Sequence, residues 1–296
     1  MALRIGITLG DCAGIGPEIV SAALKVGRLP TGAEYRIIGK YPDCSLGKPT
    51  AATACAAAAA LEEAVTFARR GEIDAVVTGP IHKARMYEVG FKFPGQTEFF
   101  AARCGIENFA MCLTGGRLTV ALVTTHIPLA QVASALTQTE IVRVGLLLAD
   151  FLRLRSIESP RIAVAGLNPH AGESGKIGRE ELDIVEPAIR ALNQSPVTID
   201  QSPAFTGPHS PDTLFHRAAQ GDFDAVLCMY HDQGLIPLKL QGFDQGVNVT
   251  LGLPFPRTSP DHGTAFDIAG KGVARPDSMI AAINLAVELA SKSKAK

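Results

Sequence analysis

Charge of either sign is scarce in this 296-residue chain: Lys and Arg number 28, Asp and Glu 29, the net charge is −1, and charged residues make up 19%. Without a basic excess or a Lys/Arg run there is no face to neutralise a phosphate backbone, which excludes nucleic acid as a partner. Ordinary soluble domains carry about a quarter charged residues, so the shortfall points to extra buried surface of the kind a second subunit covers. CxxC pairs are absent too. Cys12, Cys44, Cys55, Cys104, Cys112 and Cys228 are scattered, a spacing that suits reduced thiols better than a zinc knuckle or a disulfide frame. No window reaches the ~18 uninterrupted apolar residues of a membrane span. The opening MALRIGITLGD lacks the basic region, long apolar stretch and cleavage site of a signal peptide. These absences predict a cytoplasmic protein without a membrane partner.

What is present is alternation, in a chain that is 47% hydrophobic. β-branched runs at Leu3–Thr8, Tyr35–Gly39, Asp74–Thr78, Leu118–Thr124, Arg161–Gly166, Asp224–Tyr230 and Val247–Leu251 read as strands, several apolar throughout and so buried on both faces. Pro17–Val26, the Ala-rich Ala51–Arg70, Thr139–Leu154, Arg179–Leu192 and Pro276–Ser291 read as helices between them. The pattern predicts an α/β fold, of one large unit or two modest ones, with no internal repeat and no low-complexity linker. Gly/Pro clusters at Phe93–Gln96, Gly207–Pro211 and Leu253–Ser259 are turn material that can cross between lobes.

Three histidines follow apolar strand-like runs: His126 in LVTTHIPL, His170 in AVAGLNPHAGE and His231 in AVLCMYHDQG. Strand carboxyl ends are where α/β folds collect ligands, and three imidazoles there can hold one divalent ion with a position left for a substrate oxygen. A lone histidine at such a place is more often a hydrogen-bonded bystander. His82, His209 and His216 compete; His209 and His216 read as solvated, and beside His82 stands Lys83, the more useful cation. Lys239, Asn248 and Arg257 form a second group. Both cations lie in apolar surroundings, so each needs an anion, either a phosphate or carboxylate ligand or a dull partner such as Asp212 or Asp244. The glycines of TLGDCAGIGPEIV do not have the Rossmann spacing, and tight strand-to-helix packing explains them as well as anion binding does. The stretch from Ser259 to Ser278 reads as a long structured loop, and such loops are commonly functional.

GDCAGIGPEI, AVVTGPIHKA, PGQTEF, TTHIPL, GLNPHAGE, PDTLF, MYHDQGLIPLK, GVNVTLGLPFPRTSPDHGTA and DIAGKG, in unchanged order from residue 3 to about residue 290, resemble the 4-hydroxythreonine-4-phosphate dehydrogenase family of vitamin B6 biosynthesis. The resemblance implies an isocitrate/isopropylmalate dehydrogenase-like two-lobed α/β fold with a mixed central sheet and the active site in the interlobe cleft. Residues 1–95 with 244–296 would form the lobe carrying both termini and the cofactor loop, and 96–243 the lobe of the metal ligands and dimer interface. His126, His170 and His231 fall on the ligands of one divalent metal (zinc, magnesium, manganese or cobalt), drawn from both subunits of a homodimer whose active site lies at the subunit interface. Gln96, Thr97, Asp212, Lys239, Asn248 and Arg257 fall on substrate positions. DHGTAFDIAGKG looks like the loop that holds the adenosine half of NAD or NADP, with His262, Gly263, Thr264, Ala265 and Asp267 as its contacts. Lys83 is the candidate for proton transfer or carboxylate binding.

The implied reaction oxidises the C3 hydroxyl of a small anionic alcohol, 4-hydroxythreonine 4-phosphate, and the β-keto acid formed can then lose carbon dioxide. Three departures stand out: Gln96 where the family motif GHTEF has histidine, Cys12 in place of proline, and a short segment from Gly39 to Thr50. They leave room for a paralogue acting on a 4-phosphorylated threonate or erythronate, or on a terephthalate-type cis-dihydrodiol. More remote are a non-catalytic nucleotide-binding protein and a metal-dependent hydrolase; the intact histidine set argues against the first and the lack of a water-activating carboxylate against the second.

Overall fold

A computed structural model describes residues 2–194 and 203–295. In chain order its elements begin with β1 (Leu3–Thr8), α1 (Gly16–Lys25), β2 (Ala33–Ile38), α2 (Ala51–Arg69), β3 (Ala75–Thr78), α3 (Lys83–Glu88), α4 (Gln96–Cys104), β4 (Ala110–Gly115), β5 (Leu118–Leu122) and α5 (Leu129–Ala135). They continue with α6 (Gln138–Leu154), β6 (Arg161–Ala165), α7 (Glu186–Asn193), β7 (Ala204–His209), α8 (Pro211–Gln220), β8 (Ala225–Cys228), α9 (His231–Gly242), β9 (Val247–Leu251), β10 (Arg257–Pro260) and α10 (Asp277–Ala295).

The chain divides into two compact units, Met1–Glu107 with Asp244–Lys296, and Asn108–Phe243. In the first, strands run in the order β2-β1-β3-β10-β9, parallel except where β9 meets β10. Its core joins the Ala-rich face of α2 (Ala54, Ala57, Leu61, Ala64, Ala68) to Phe91, Phe99 and Phe100. Alanine at these positions lets the helix lie close to the sheet, and Thr50 caps it through the Thr53 N–H while Thr53 returns a bond to the Thr50 N–H. α2 is long and apolar enough to cross a membrane, but this packed face marks it as a core helix. The first segment runs on to Glu107, past the boundary at 95 read from the sequence, because Phe99 and Phe100 of α4 are buried in this core.

In the second unit the order is β4-β5-β8-β6-β7, with an antiparallel β4–β5 hairpin and parallel pairs thereafter. α9 was not legible as a helix, since HDQGLIPLKLQG carries both Gly234 and Pro237. It forms because Leu235 and Leu238 are buried against the sheet, and Gly234 lies so close that a Cβ would stand 3.0 Å from Cys228 Sγ and 3.1 Å from Leu122 Cδ2. β7 includes the Gly207–Pro208 pair assigned to a turn, and proline survives there because β7 is the last strand in its order.

One arrangement occurs in both units although no repeat was read from the sequence. Arg4, at the head of β1, holds Asp74 through its backbone N–H (2.8 Å) and its guanidinium (3.0 Å), and also donates to the Gly71 carbonyl. Arg161, at the head of β6, holds Asp224 in the same way (2.7 and 3.0 Å) and donates to the Gly221 carbonyl. The underlying similarity, GEIDAVV against GDFDAVL, is too short and too far apart to stand out in a linear reading.

Candidate active site

In the second unit three strand ends are stitched together by hydrogen bonds. Thr124 N–H and Oγ1 donate to the Met229 carbonyl (3.2 and 2.7 Å), tying the end of β5 to that of β8. The buried Gln233 amide accepts from Met229 N–H (2.7 Å) and donates to the Gly166 carbonyl (2.7 Å), tying β8 to β6. His126 and His231 therefore emerge side by side, their ring centroids 5.6 Å apart and tilted by 44°. They line a concavity of about 280 Å³ with Thr125, Ile127, Leu129, Val132, Tyr230 and Asp232. His231 Nδ1 is paired with Asp232 Oδ1 at 2.7 Å. A carboxylate on one ring nitrogen fixes the tautomer and raises the basicity of the other, the arrangement a metal ligand uses. Asp232 was missed in the sequence, where the HD dipeptide was its signal.

His170 does not join this pair within one chain: among the described residues, no three His, Cys, Asp or Glu side chains gather as a metal site. It stands instead in a left-handed turn, with φ of +52° at His170, +50° at Ala171, +79° at Gly172, +46° at Glu173 and +56° at Ser174. Four of these residues carry a Cβ, so the turn is strained by roughly 1–2 kcal/mol at each. Glu181, buried beneath it, accepts from Asn168 N–H (2.7 Å) and Asn168 Nδ2 (2.9 Å), and Glu180 takes the other Nδ2 hydrogen at 2.8 Å. Only glycine fits at 172, where a Cβ would lie 2.5 Å from Glu181 Oε2. Glu181→Gln is expected to cost about 1–3 kcal/mol, since it replaces a charged acceptor of two hydrogen bonds; a urea-unfolding midpoint equal to that of the wild type would contradict this role for Glu181.

Beside His170 lies Asp212, whose carboxyl is held below the usual range by the Ser210 hydroxyl (2.5 Å) and, secondarily, by the charge of His170. His209 is half-buried at the end of β7 rather than solvated, and burial pushes its pKa down; His216 is exposed on α8. Lys239 lies in the last part of α9, its Nζ 5.8 Å from the centroid of Phe243.

The first unit collects the other candidates. Arg257 is 2% exposed. Its guanidinium donates to Thr78 Oγ1 (2.6 Å), Gln96 Oε1 (3.1 Å) and Thr250 Oγ1 (3.3 Å), and its Nε has no hydrogen-bond partner among the described residues. Every one of those acceptors is neutral. Asp244 is engaged with Arg275 (2.6 Å) and Asp212 with Ser210, so neither neutralises Arg257. Burial pushes its pKa down to about 9, with Glu98 opposing, which still leaves the cation charged at neutral pH. A buried guanidinium whose hydrogen-bonded acceptors are all neutral, and whose burial the charge of Glu98 offsets only in part, suits an anionic ligand.

Gln96 is locked in orientation, because its Nε2 donates to the Gly79 carbonyl at 3.1 Å while its Oε1 accepts from Arg257. Thr97 Oγ1 lies 3.3 Å from Thr250 Oγ1. Asn248 presents a buried Oδ1 without a hydrogen-bond partner among the described residues. Thr78 and Thr250 escaped the sequence reading, since a strand threonine looks like any other β-branched residue. Lys83 is exposed at the start of α3. His262, Gly263, Thr264, Ala265 and Asp267 follow β10 in an irregular segment in which Ala265 has a φ of +42°.

Comparison with known proteins gives these features a family. The model of the pyridoxal phosphate biosynthetic protein PdxA matches residues 19–286. The 4-hydroxythreonine-4-phosphate dehydrogenase of Caulobacter vibrioides is 43% identical, over 97% of this chain and 98% of its own. Among solved structures, the 4-hydroxythreonine-4-phosphate dehydrogenase of Klebsiella pneumoniae superposes with a TM-score of 0.80 at 37% identity, covering 98% and 100% of the two chains. A terephthalate 1,2-cis-dihydrodiol dehydrogenase from Burkholderia xenovorans gives 0.68 at 30% identity, covering 97% and 98%. Isocitrate dehydrogenase from Methylococcus capsulatus, at 17% identity and a TM-score of 0.57 over 99% and 88% of the chains, shares the fold. The chain belongs to the PdxA family of pyridoxal phosphate biosynthetic proteins.

Proposed function

We propose that this chain is a metal-dependent NAD(P) dehydrogenase that oxidises the secondary alcohol of a small anionic substrate, 4-hydroxythreonine 4-phosphate, and allows the keto acid to decarboxylate. The observation that carries this reading is Arg257, a buried cation surrounded by neutral acceptors. Such a group attracts an anion and holds it away from water, where the attraction is strongest. Asn248 and Thr97 of the same unit are further candidates for the substrate's polar contacts, as are Lys239 and Asp212 of the other unit, and the segment from His262 to Asp267 is the candidate for holding the dinucleotide.

The donor set suits a divalent ion of the zinc, magnesium, manganese or cobalt class: His126 and His231 supply two imidazoles, with Asp232 orienting the second. Completing the set needs a third ligand, and the partner's His170 in a homodimer would provide it. Leu129, Ile236, Leu240 and Phe243 favour that assembly, since these large apolar side chains are exposed in the same unit as the histidine pair, Leu240 by 83%. When bound, the ion supplies positive charge at the reacting oxygen and the dinucleotide supplies the hydride acceptor. The protein's own part is to anchor the anion at Arg257, keep the imidazoles oriented, and exchange the alcohol proton, for which Lys83 is the candidate.

Gln96 favours a second reading, in which the substrate is a 4-phosphorylated threonate or erythronate or a dicarboxylated cis-dihydrodiol. Both polar atoms of the amide are already engaged, so it offers the substrate nothing titratable. Assays of these alcohols with NAD and with NADP decide between the readings: reduction fastest on 4-hydroxythreonine 4-phosphate supports the first, and reduction confined to another alcohol overturns it. Gln96→His is expected to shift the preference among them and to add an ionisation near pH 6.5 to the profile of kcat/KM. An unchanged preference and profile would remove Gln96 as a determinant.

A further inference from the structure

At one edge of the first unit the segments that follow β1, β3 and β10 come together, and polar atoms buried there have no partner. Across that edge Thr8 stands beside Thr78, Val77 beside Thr258, and Ser259 opposite Asn248. Immediately beyond it the loops are bonded to one another: Asp11 N–H donates to the Pro80 carbonyl (2.9 Å) and Ile15 N–H to the Thr264 carbonyl (2.9 Å). Gly14 runs so close to the Thr264 carbonyl oxygen that a Cβ would lie 2.6 Å from it.

Asp11 is 1% exposed. Its Oδ1 accepts from Ala13 N–H at 3.1 Å, whereas its Oδ2 is buried with no hydrogen-bond partner among the described residues, as are His262 Nε2 and Asn248 Oδ1. An ionised carboxylate oxygen is costly to leave in that condition.

The duplicated strand clasp shows how unusual this is. Asn168 follows Arg161 at the same interval at which Asp11 follows Arg4, and both come just after a clasped strand. In the second unit that position is closed from within, with the backbone N–H and both Nδ2 hydrogens of Asn168 taken by Glu180 and Glu181. In the first unit an acceptor stands in its place, in the same loop as Gly14 and Ile15, which pack on and bond to Thr264 of the segment from His262 to Asp267.

We propose that Asp11 is a dinucleotide-binding residue, its Oδ2 accepting from an uncharged donor of the nicotinamide nucleotide, a ribose hydroxyl or the carboxamide N–H. This inference rests on the dehydrogenase reading given above. A carboxylate fits such donors and repels phosphate, so Asp11 contacts a part of the nucleotide away from its phosphates.

The test is titration of NADH, ADP-ribose and ADP against the wild type and Asp11→Asn, followed by fluorescence or calorimetry. The asparagine keeps an acceptor for Ala13 N–H and removes the charge. NADH affinity is expected to fall at least tenfold; loss confined to NADH places the donor in the carboxamide, loss shared by ADP-ribose places it in a ribose, and loss shared also by ADP places it in the adenosine ribose. NADH affinity within twofold of the wild type, in a folded variant, overturns the proposal. Should Asp11→Asn fail to fold, Asp11→Ser retains a short acceptor and is read the same way. A wild-type protein that binds no NADH overturns the dehydrogenase reading itself, and so is distinguishable from failure of this inference alone.

Discussion

His231→Ala is expected to lower kcat by about a thousandfold or more while leaving NADH affinity within a fewfold of wild type, and a chelator should do the same to the unmodified enzyme. The magnitude follows from removing a charge that stabilises the reacting oxygen by several kcal/mol, each ~1.4 kcal/mol being a factor of ten in rate. Divalent ions should restore the chelated wild type and not the variant. The chemistry of the pair carries the prediction: two tilted imidazoles 5.6 Å apart, one of them oriented by a carboxylate at 2.7 Å. Asp232→Asn should give a smaller loss of about 10- to 100-fold, because it disturbs the ring's support and not the ring. Activity indifferent to chelation, measured by NAD(P) reduction, would contradict the metal's role.

Arg257→Met is the second large effect. It should raise the KM for the anionic substrate and lower kcat/KM by roughly 30- to several-thousandfold, the equivalent of the ~2–5 kcal/mol lost when one partner of a buried charged contact is truncated. The folded protein without substrate should lose little or no stability, because the guanidinium's hydrogen bonds go to the neutral Thr78, Thr250 and Gln96 and the charge of Glu98 offsets its burial only in part. The two measurements together discriminate between roles: a purely structural arginine would lower the thermal midpoint on removal, whereas a ligand anchor raises KM and leaves the midpoint in place.

Much of the architecture was written in local patterns. β1 and β9 fall where alternation and β-branching put them, as do the long helices α2, α6 and α10 within a few residues at their ends, because apolar strands flanked by turn residues and amphipathic helices carry their burial in their own composition. β10 was missed because Arg257–Pro260 is polar by composition and owes its strand to Val249 and Val76 on either side. α9 was missed because its glycine and proline reflect what it packs on and not what it would do alone.

The candidate site divides in the same way. Histidines after strands and cations in apolar surroundings could be picked out, since residue type and neighbourhood are both local. Thr78, Thr250, Glu181 and Asp11 could not, because their importance lies in partners brought from far along the chain or, for Asp11 Oδ2, in having none. The separation of His170 from the other two imidazoles is likewise a property of the fold and of no segment.

The most direct test of the account mixes two inactive variants. If each metal site takes His126 and His231 from one copy and the third imidazole from another, refolding His170→Ala with His231→Ala from denaturant yields mixed dimers in which one of the two sites is wild type throughout. Activity should then recover to about a quarter of the wild-type level at equal mixing, since half the dimers are mixed and each holds one competent site. No recovery from a mixture shown by mass spectrometry to contain the mixed dimer would contradict a site shared between copies.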